Sequence, residues 1–156
     1  MATQKLQVGR ALAVIPSDYA DIPFPAVTIS STVTTAAGFT LTDSTADFIA
    51  LGVKAGDIVY DITNQTAATV ESIQSATTLV LNVSGYIIAA DTYIVYNGQN
   101  NNGCVLYIGG LGDIAITTIG GDEVKFTALL AGQFVPVQTL KVSETGTGAT
   151  DILALW

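Results

Sequence analysis

The chain has no histidine, one cysteine and only five cations among 156 residues, and each shortage closes off a class of chemistry. Without imidazole there is no Ser-His-Asp or Cys-His pair and no imidazole metal ligand. The lone thiol, Cys104, excludes an internal disulfide and a multi-cysteine zinc site. It opens an apolar run, where a thiol serves as a small hydrophobe. Lys5, Arg10, Lys54, Lys125 and Lys141 are scattered against 13 acids, for a net charge of −8. No basic patch is available for a phosphate backbone or an anionic bilayer, so neither nucleic acid nor membrane is expected as a partner. No apolar run approaches the ~18 residues that span a bilayer. The run at 11–15 stops at Pro16, short of the ~7–15-residue core of a signal peptide, so no export signal is expected.

Charge itself is scarce. Charged residues make up 12% of the chain, against roughly 25% in ordinary soluble domains. A surface so poor in ions suits contact with other protein, because interface cores are depleted of charge. The plainer alternative is a neutral, Thr-rich β-protein that is merely soluble.

What the chain does have is short, alternating apolar segments punctuated by glycine. In the last third, Ile114 and Ile116 alternate with Asp113, Ala115 and Thr117, the period of a strand buried on one face. Val124, Phe126 and Ala128 repeat that period after Gly120-Gly121, which predicts a hairpin. Residues 135–142 and 152–156 are further strands, with Pro136 expected at an edge or a strand start. Upstream, Pro16-Ser17-Asp18 marks a turn, and Phe24 between Pro23 and Pro25 makes a stiff junction. Residues 27–96 then carry five or six short strands at the spacing of a small barrel or sandwich. Among them are 58–62, with Ile58, Tyr60 and Ile62 on one face, and 77–83, with Thr77, Leu79, Leu81 and Val83 on one face. The only helical turn expected lies at 43–52, with Ser44 and Asp47 as a capping box and Gly52 closing it. The polar NGQNNNG stretch at 97–103 mirrors the proline-rich junction.

These signals predict an all-β chain of two small sandwich- or barrel-like units with at most one short helix. Residues 1–26 plus 103–156 form a split platform, 27–97 an inserted module, and 98–102 the linker. Split in two, pieces of about 75 residues are marginal alone and gain from a partner. Residues 1–10 read as a polar arm.

Candidate chemistry is thin. The carboxylate pairs Asp18/Asp21, Asp43/Asp47 and Asp122/Glu123 sit in turns or caps, where Asp serves backbone hydrogen bonding. The glycine-rich run at 108–113 lacks a Lys-Ser/Thr ending and a following helix, so a tight β-turn is expected and not a phosphate loop. Calcium at Asp57, Asp61 and Asn64 does not follow EF-hand spacing. Tyr60, Tyr93 and Tyr96 lie among apolar strand residues and read as core, with a sugar-stacking platform as the competing use. Trp156 ends an apolar strand and either closes its own core or enters a neighbour, since aromatic anchors dominate interfaces. No catalytic residue, metal ligand or cofactor is expected. The apolar side chains near the two chain ends, Leu12, Val14, Ile15, Phe24, Leu153, Leu155 and Trp156, are the candidate contacts.

Three patches, PSDYAD at 16–21, LYIGGLGDIAITTIGGDEVKF at 106–126 and SETGTGATDILALW at 143–156, resemble in order and spacing the head spike base proteins of gene-transfer agents and related virion proteins of tailed phages. In simpler members the first patch runs almost directly into the second; here about 75 residues intervene, matching the inserted module. The resemblance implies a virion protein on the capsid exterior, made in the host cytoplasm. It would act as decoration, cement or spike base, with the major capsid protein and copies of itself as partners and a spike or fibre protein as a further one. A carbohydrate-binding adhesin module and a tail or baseplate adaptor are the alternatives.

Overall fold

The computed structural model describes residues 8–156, so Lys5 and most of the expected polar arm lie outside the described residues. The protein is all-β, with two antiparallel sheets. Alternating β-branched and aromatic residues between glycine and aspartate turns leave no stretch with helical period. Among the described residues the only helical element is a 3₁₀ turn, Gly98–Asn100, and no helix is long and apolar enough to cross a membrane.

One sheet has seven strands, all from residues 27–96. They are β2 (Val27–Thr32), β3 (Thr35–Ala37), β4 (Thr40–Thr42), β5 (Ile58–Asp61), β6 (Thr66–Ser75), β7 (Thr78–Leu81) and β8 (Thr92–Tyr96), in the order β2-β8-β5-β6-β7-β4-β3. The two edge strands, β2 and β3, are consecutive in sequence and joined by residues 33–34. So short a link reaches about 10 Å at most, so the sheet curls until its edges meet. Within the link, Val33 N–H donates to Asp91 O at 2.9 Å, extending the β2–β8 ladder, and Thr34 N–H to Thr42 O at 2.8 Å, extending β3–β4. Leu41, Phe48, Val59, Leu79, Leu81, Tyr93 and Val95 fill the interior.

The other sheet has six strands, ordered β1-β13-β9-β12-β10-β11. They are β1 (Ala11–Ala13), β9 (Cys104–Gly110), β10 (Gly112–Thr118), β11 (Glu123–Leu129), β12 (Gln133–Val142) and β13 (Thr150–Leu155). Its strands thus come from both sides of the 27–96 segment. Although β9 and β10 are separated only by Leu111, they do not pair with each other; both flank β12. The 108–113 run is therefore a corner between two strands and not the expected tight β-turn. Glycine is required there by close approach. A Cβ on Gly112, at φ +152°, would lie 2.6 Å from the Ala149 nitrogen, and one on Gly110 would collide with Thr150 Oγ1. With β12 shifting register between Val135 and Thr139, the sheet folds over one core of Leu106, Ile108, Ile114, Ile116, Val135, Val142 and Ile152.

Residues 14–22 lie between the sheets. On one side Val14 N–H donates to Ile152 O, Ser17 N–H to Val142 O and Ile22 N–H to Leu140 O, at 2.8–2.9 Å. On the other side Ser17 Oγ donates to Ala67 O at 2.7 Å, and Tyr19 O accepts from Thr69 Oγ1 and Asn82 Nδ2 at 2.9 and 2.7 Å. Ile15 and Ala20 pack there with Ile58, Tyr60, Ala67 and Tyr96 as a third buried cluster. The two connections run side by side: Asn97 N–H donates to Ala26 O at 3.1 Å, and Asn101 Nδ2 bonds both Ile22 O and Leu140 O.

Several local expectations are corrected. Strand β5 is buried on both faces, with Val59 in the barrel and Ile58 and Tyr60 in the seam, while Ile62 lies beyond it and is exposed. The 43–52 segment forms no helix. Asp47, not Ser44, caps the second of its two turns by accepting from Ala50 N–H at 2.9 Å. Gly52 does close that turn, with Val53 N–H bonded to Phe48 O and Gly52 N–H to Ile49 O, the Schellman pattern. Pro136 sits inside a central strand, not at an edge or start; the register shift around it removes the need for its missing N–H. Ile114 pairs with Phe126 and Ile116 with Val124, as the hairpin requires. Strand β11 is nevertheless an exposed edge, and Ala128, at φ +55°, breaks its alternation.

Candidate interaction surface

In β9 the even positions Cys104, Leu106 and Ile108 point inward, so Val105 and Tyr107 face out. The register carries that outer face across four strands. Ala13 pairs with Leu153, Leu153 with Tyr107, and Tyr107 with Phe134, a single row from β1 to β12. Ala11, Leu155 and Val105 form a second row beside it. No side chain in either row is charged. The Tyr107 and Phe134 rings meet edge-on with centroids 5.4 Å apart, and Phe134 remains 52% exposed. Where β1 ends, the turn between β5 and β6 leans over the first row. There Gln65, Ala13, Val14, Tyr107, Leu153 and the charged Asp151 line a groove of about 330 Å³.

The sequence-chosen contacts are divided between this face and other places. Leu153 and Leu155 lie in the rows and Val14 lines the groove. Leu12 packs inward against the six-stranded core and the seam, and Ile15 is buried in the seam. Phe24 and Trp156 make a separate pair, edge to face at 5.6 Å, with the Arg10 guanidinium 5.3 Å from the Phe24 ring centre. Arg10 also donates to Pro25 O at 2.5 Å. Trp156 packs on the six-stranded core, and its buried Nε1–H has no partner among the described residues. Tyr107 and Phe134 were missed. For Tyr107 alone a signal existed in CVLYI, an apolar run at both odd and even positions, which marks a strand apolar on both faces without saying what it meets.

Groups that could carry chemistry are turned to structural use. Cys104 is buried, and burial pushes its thiol up to about 12. Tyr60, Tyr93 and Tyr96 are all core, and burial raises each hydroxyl's pKa. Asp57 and Asp61 stand at opposite ends of β5, so they do not converge with Asn64 on one ion. No group of three or more metal-ligating residues forms among the described residues. Asp18 accepts from Thr145 N–H and Oγ1 at 3.1 and 2.6 Å, bonds that hold its carboxyl below the ordinary value. Asp43 is fully buried. Burial alone would raise it, but hydrogen bonds from Ser31, Thr45 and Tyr93 outweigh that and hold it low. Asp113 bonds Ala128 N–H and the Lys125 ammonium, the single ion pair among the described residues.

The outer face of the six-stranded sheet offers apolar area and shape. No family model, curated protein or solved structure matches the chain.

Proposed function

We propose that this chain is a non-catalytic structural protein of a tailed-phage particle, seated on the capsid exterior as decoration, cement or spike base. The observation that carries this reading is the uncharged outward row Ala13–Leu153–Tyr107–Phe134, with Phe134 exposed and Leu153 and Tyr107 half-buried, on a chain of net charge −8. The major capsid protein is its docking partner, with sister copies as neighbours. Docking works by removing apolar area from water, about 25 cal/mol per Å², less the ordering cost of association. The order of the three patches supports the phage setting, and the seam fixes how the barrel stands on the six-stranded sheet. Because few charges take part, attachment is expected to be nearly independent of salt.

The test is co-sedimentation with capsids of the parent phage. Leu153→Ser with Phe134→Ser should abolish attachment while leaving the circular dichroism spectrum and melting temperature near those of the parent chain. Retained attachment by that double variant, or release of the unaltered chain by moderate salt alone, rejects the reading.

A further inference from the structure

Two carboxylates inside the barrel end have no cation beside them. Asp61, at the end of β5, is 2% exposed, and Asp91, just before β8, is 3% exposed. Both are held by one side chain: Asn64 Nδ2 donates to Asp61 Oδ2 at 2.9 Å and to Asp91 Oδ2 at 2.7 Å. Two acceptor oxygens sharing one nitrogen at hydrogen-bond length lie within about 6 Å of each other. Asp61 Oδ1 also accepts from Thr63 and Asn64 N–H, and Asp91 Oδ2 from Ile88 N–H. Asp91 Oδ1 is left without a donor among the described residues, and neither carboxylate is in an ion pair. Like charges this close and this buried do not both ionise readily.

We infer that Asp61 and Asp91 hold one proton between them, and that this proton fastens the 61–66 turn to the 84–91 loop. Thr66 Oγ1 bonds Tyr86 O across the same gap at 2.9 Å, and Thr92 N–H bonds Thr63 Oγ1. The fastening bears on the seam, because both segments reach the other sheet. Gln65 enters the groove over Tyr107 and Leu153. Tyr86 donates to Glu144 at 3.2 Å and stacks edge-on with Tyr19 at 5.3 Å.

The titratable groups around the pair are few. Tyr86, from the 84–91 loop, lines the same small void as Asp61, and Glu144 of the other sheet reaches it only through Tyr86. Burial, together with Asp91, raises Asp61 above the ordinary carboxylate value. The sign follows. A folded state that binds the proton more tightly than the unfolded chain gains stability as pH falls and loses it as pH rises through the raised value. The joint is therefore tightest below the raised value and loosens as pH rises through it. This holds wherever the chain works and does not depend on the proposed function.

Asp91→Asn tests it, because the amide keeps an oxygen for Ile88 and Asn64 and supplies a donor where the shared proton sits. Thermal unfolding of both chains is followed from pH 4.5 to 7.5, with chelator and separately with calcium. The parent chain should lose melting temperature as pH rises, relative to Asp91→Asn, and hydrogen exchange at 61–66 and 84–91 should quicken in the parent only. Parallel pH profiles overturn the inference, as does calcium stabilising the parent but not the variant, which would make the pair a cation site. Should Asp91→Asn fail to fold, carbon-detected titration of the parent decides. The Asp61 carboxyl signal should move at a midpoint above the ordinary value, and an ordinary midpoint refutes a shared proton.

Discussion

The two sheets solve the same problem by different means. The seven-stranded sheet closes on itself through a two-residue link, and buried aspartates satisfy its turns. Asp43 binds Thr45, Asp57 binds Lys54 and Gly98, and Asp61 and Asp91 share Asn64. Its interior is complete. The six-stranded sheet folds over its core by a glycine corner and an interrupted central strand, and leaves an apolar outer face uncovered. A closed barrel needs polar groups turned inward to finish its ends, whereas an open folded sheet turns its surplus apolar surface outward.

That contrast can be broken or sharpened by substitution. The largest effects belong to the two interiors. Leu79→Ala in the barrel and Leu106→Ala in the folded sheet should each lower stability by about 3 kcal/mol. Because Ile15, Ile58, Tyr60 and Tyr96 bury the seam, both should shift one common calorimetric transition. Two separated peaks would show that the units melt independently. Next comes the corner, which only the open sheet uses: Gly112→Ala is expected to cost about 2 kcal/mol or more through strained φ and backbone collision, read by chemical denaturation. A loss below experimental error would mean the corner relaxes freely.

Tyr93→Phe should cost about 1–3 kcal/mol, since it strips a 2.8 Å bond from the buried Asp43 carboxylate. The pH dependence has a defined sign. Asp43 is held below its ordinary 3.8, so its contribution is full above that value and disappears as pH falls through the lowered one. Asp43→Asn should flatten this acid limb in a melting-temperature series from pH 5 to 2, and an unchanged limb would assign it to other carboxylates. The smallest effects lie on the open sheet's surface. Lys125→Ala, which breaks an exposed pair with Asp113, and Phe134→Ser should each change stability by less than about 0.5 kcal/mol. If Phe134→Ser destabilises strongly, the outer face is part of the fold and not a docking surface.

Part of the six-stranded sheet's apolar outer face was legible beforehand. Leu153 and Leu155 stood out as apolar residues of a terminal strand, and Val14 belonged to the run that pairs with it. Tyr107 and Phe134 did not, because they become neighbours only when β9 and β12 align. Ile15 read as a surface contact for the same reason: the strand that covers it, β5, lies more than forty residues away.

What the sequence determined alone is local and periodic. Alternation and glycine pairs specified strands, the hairpin around Gly120-Gly121, and an all-β chain without disulfide or histidine chemistry, since such signals depend only on neighbours along the chain. The tertiary structure decided which face of β5 and β9 would be covered, that Pro136 would sit inside a sheet, and that Asp61 would meet Asp91. Those outcomes turn on register between strands tens of residues apart, and a period of two says that a strand has two faces without saying what each will meet.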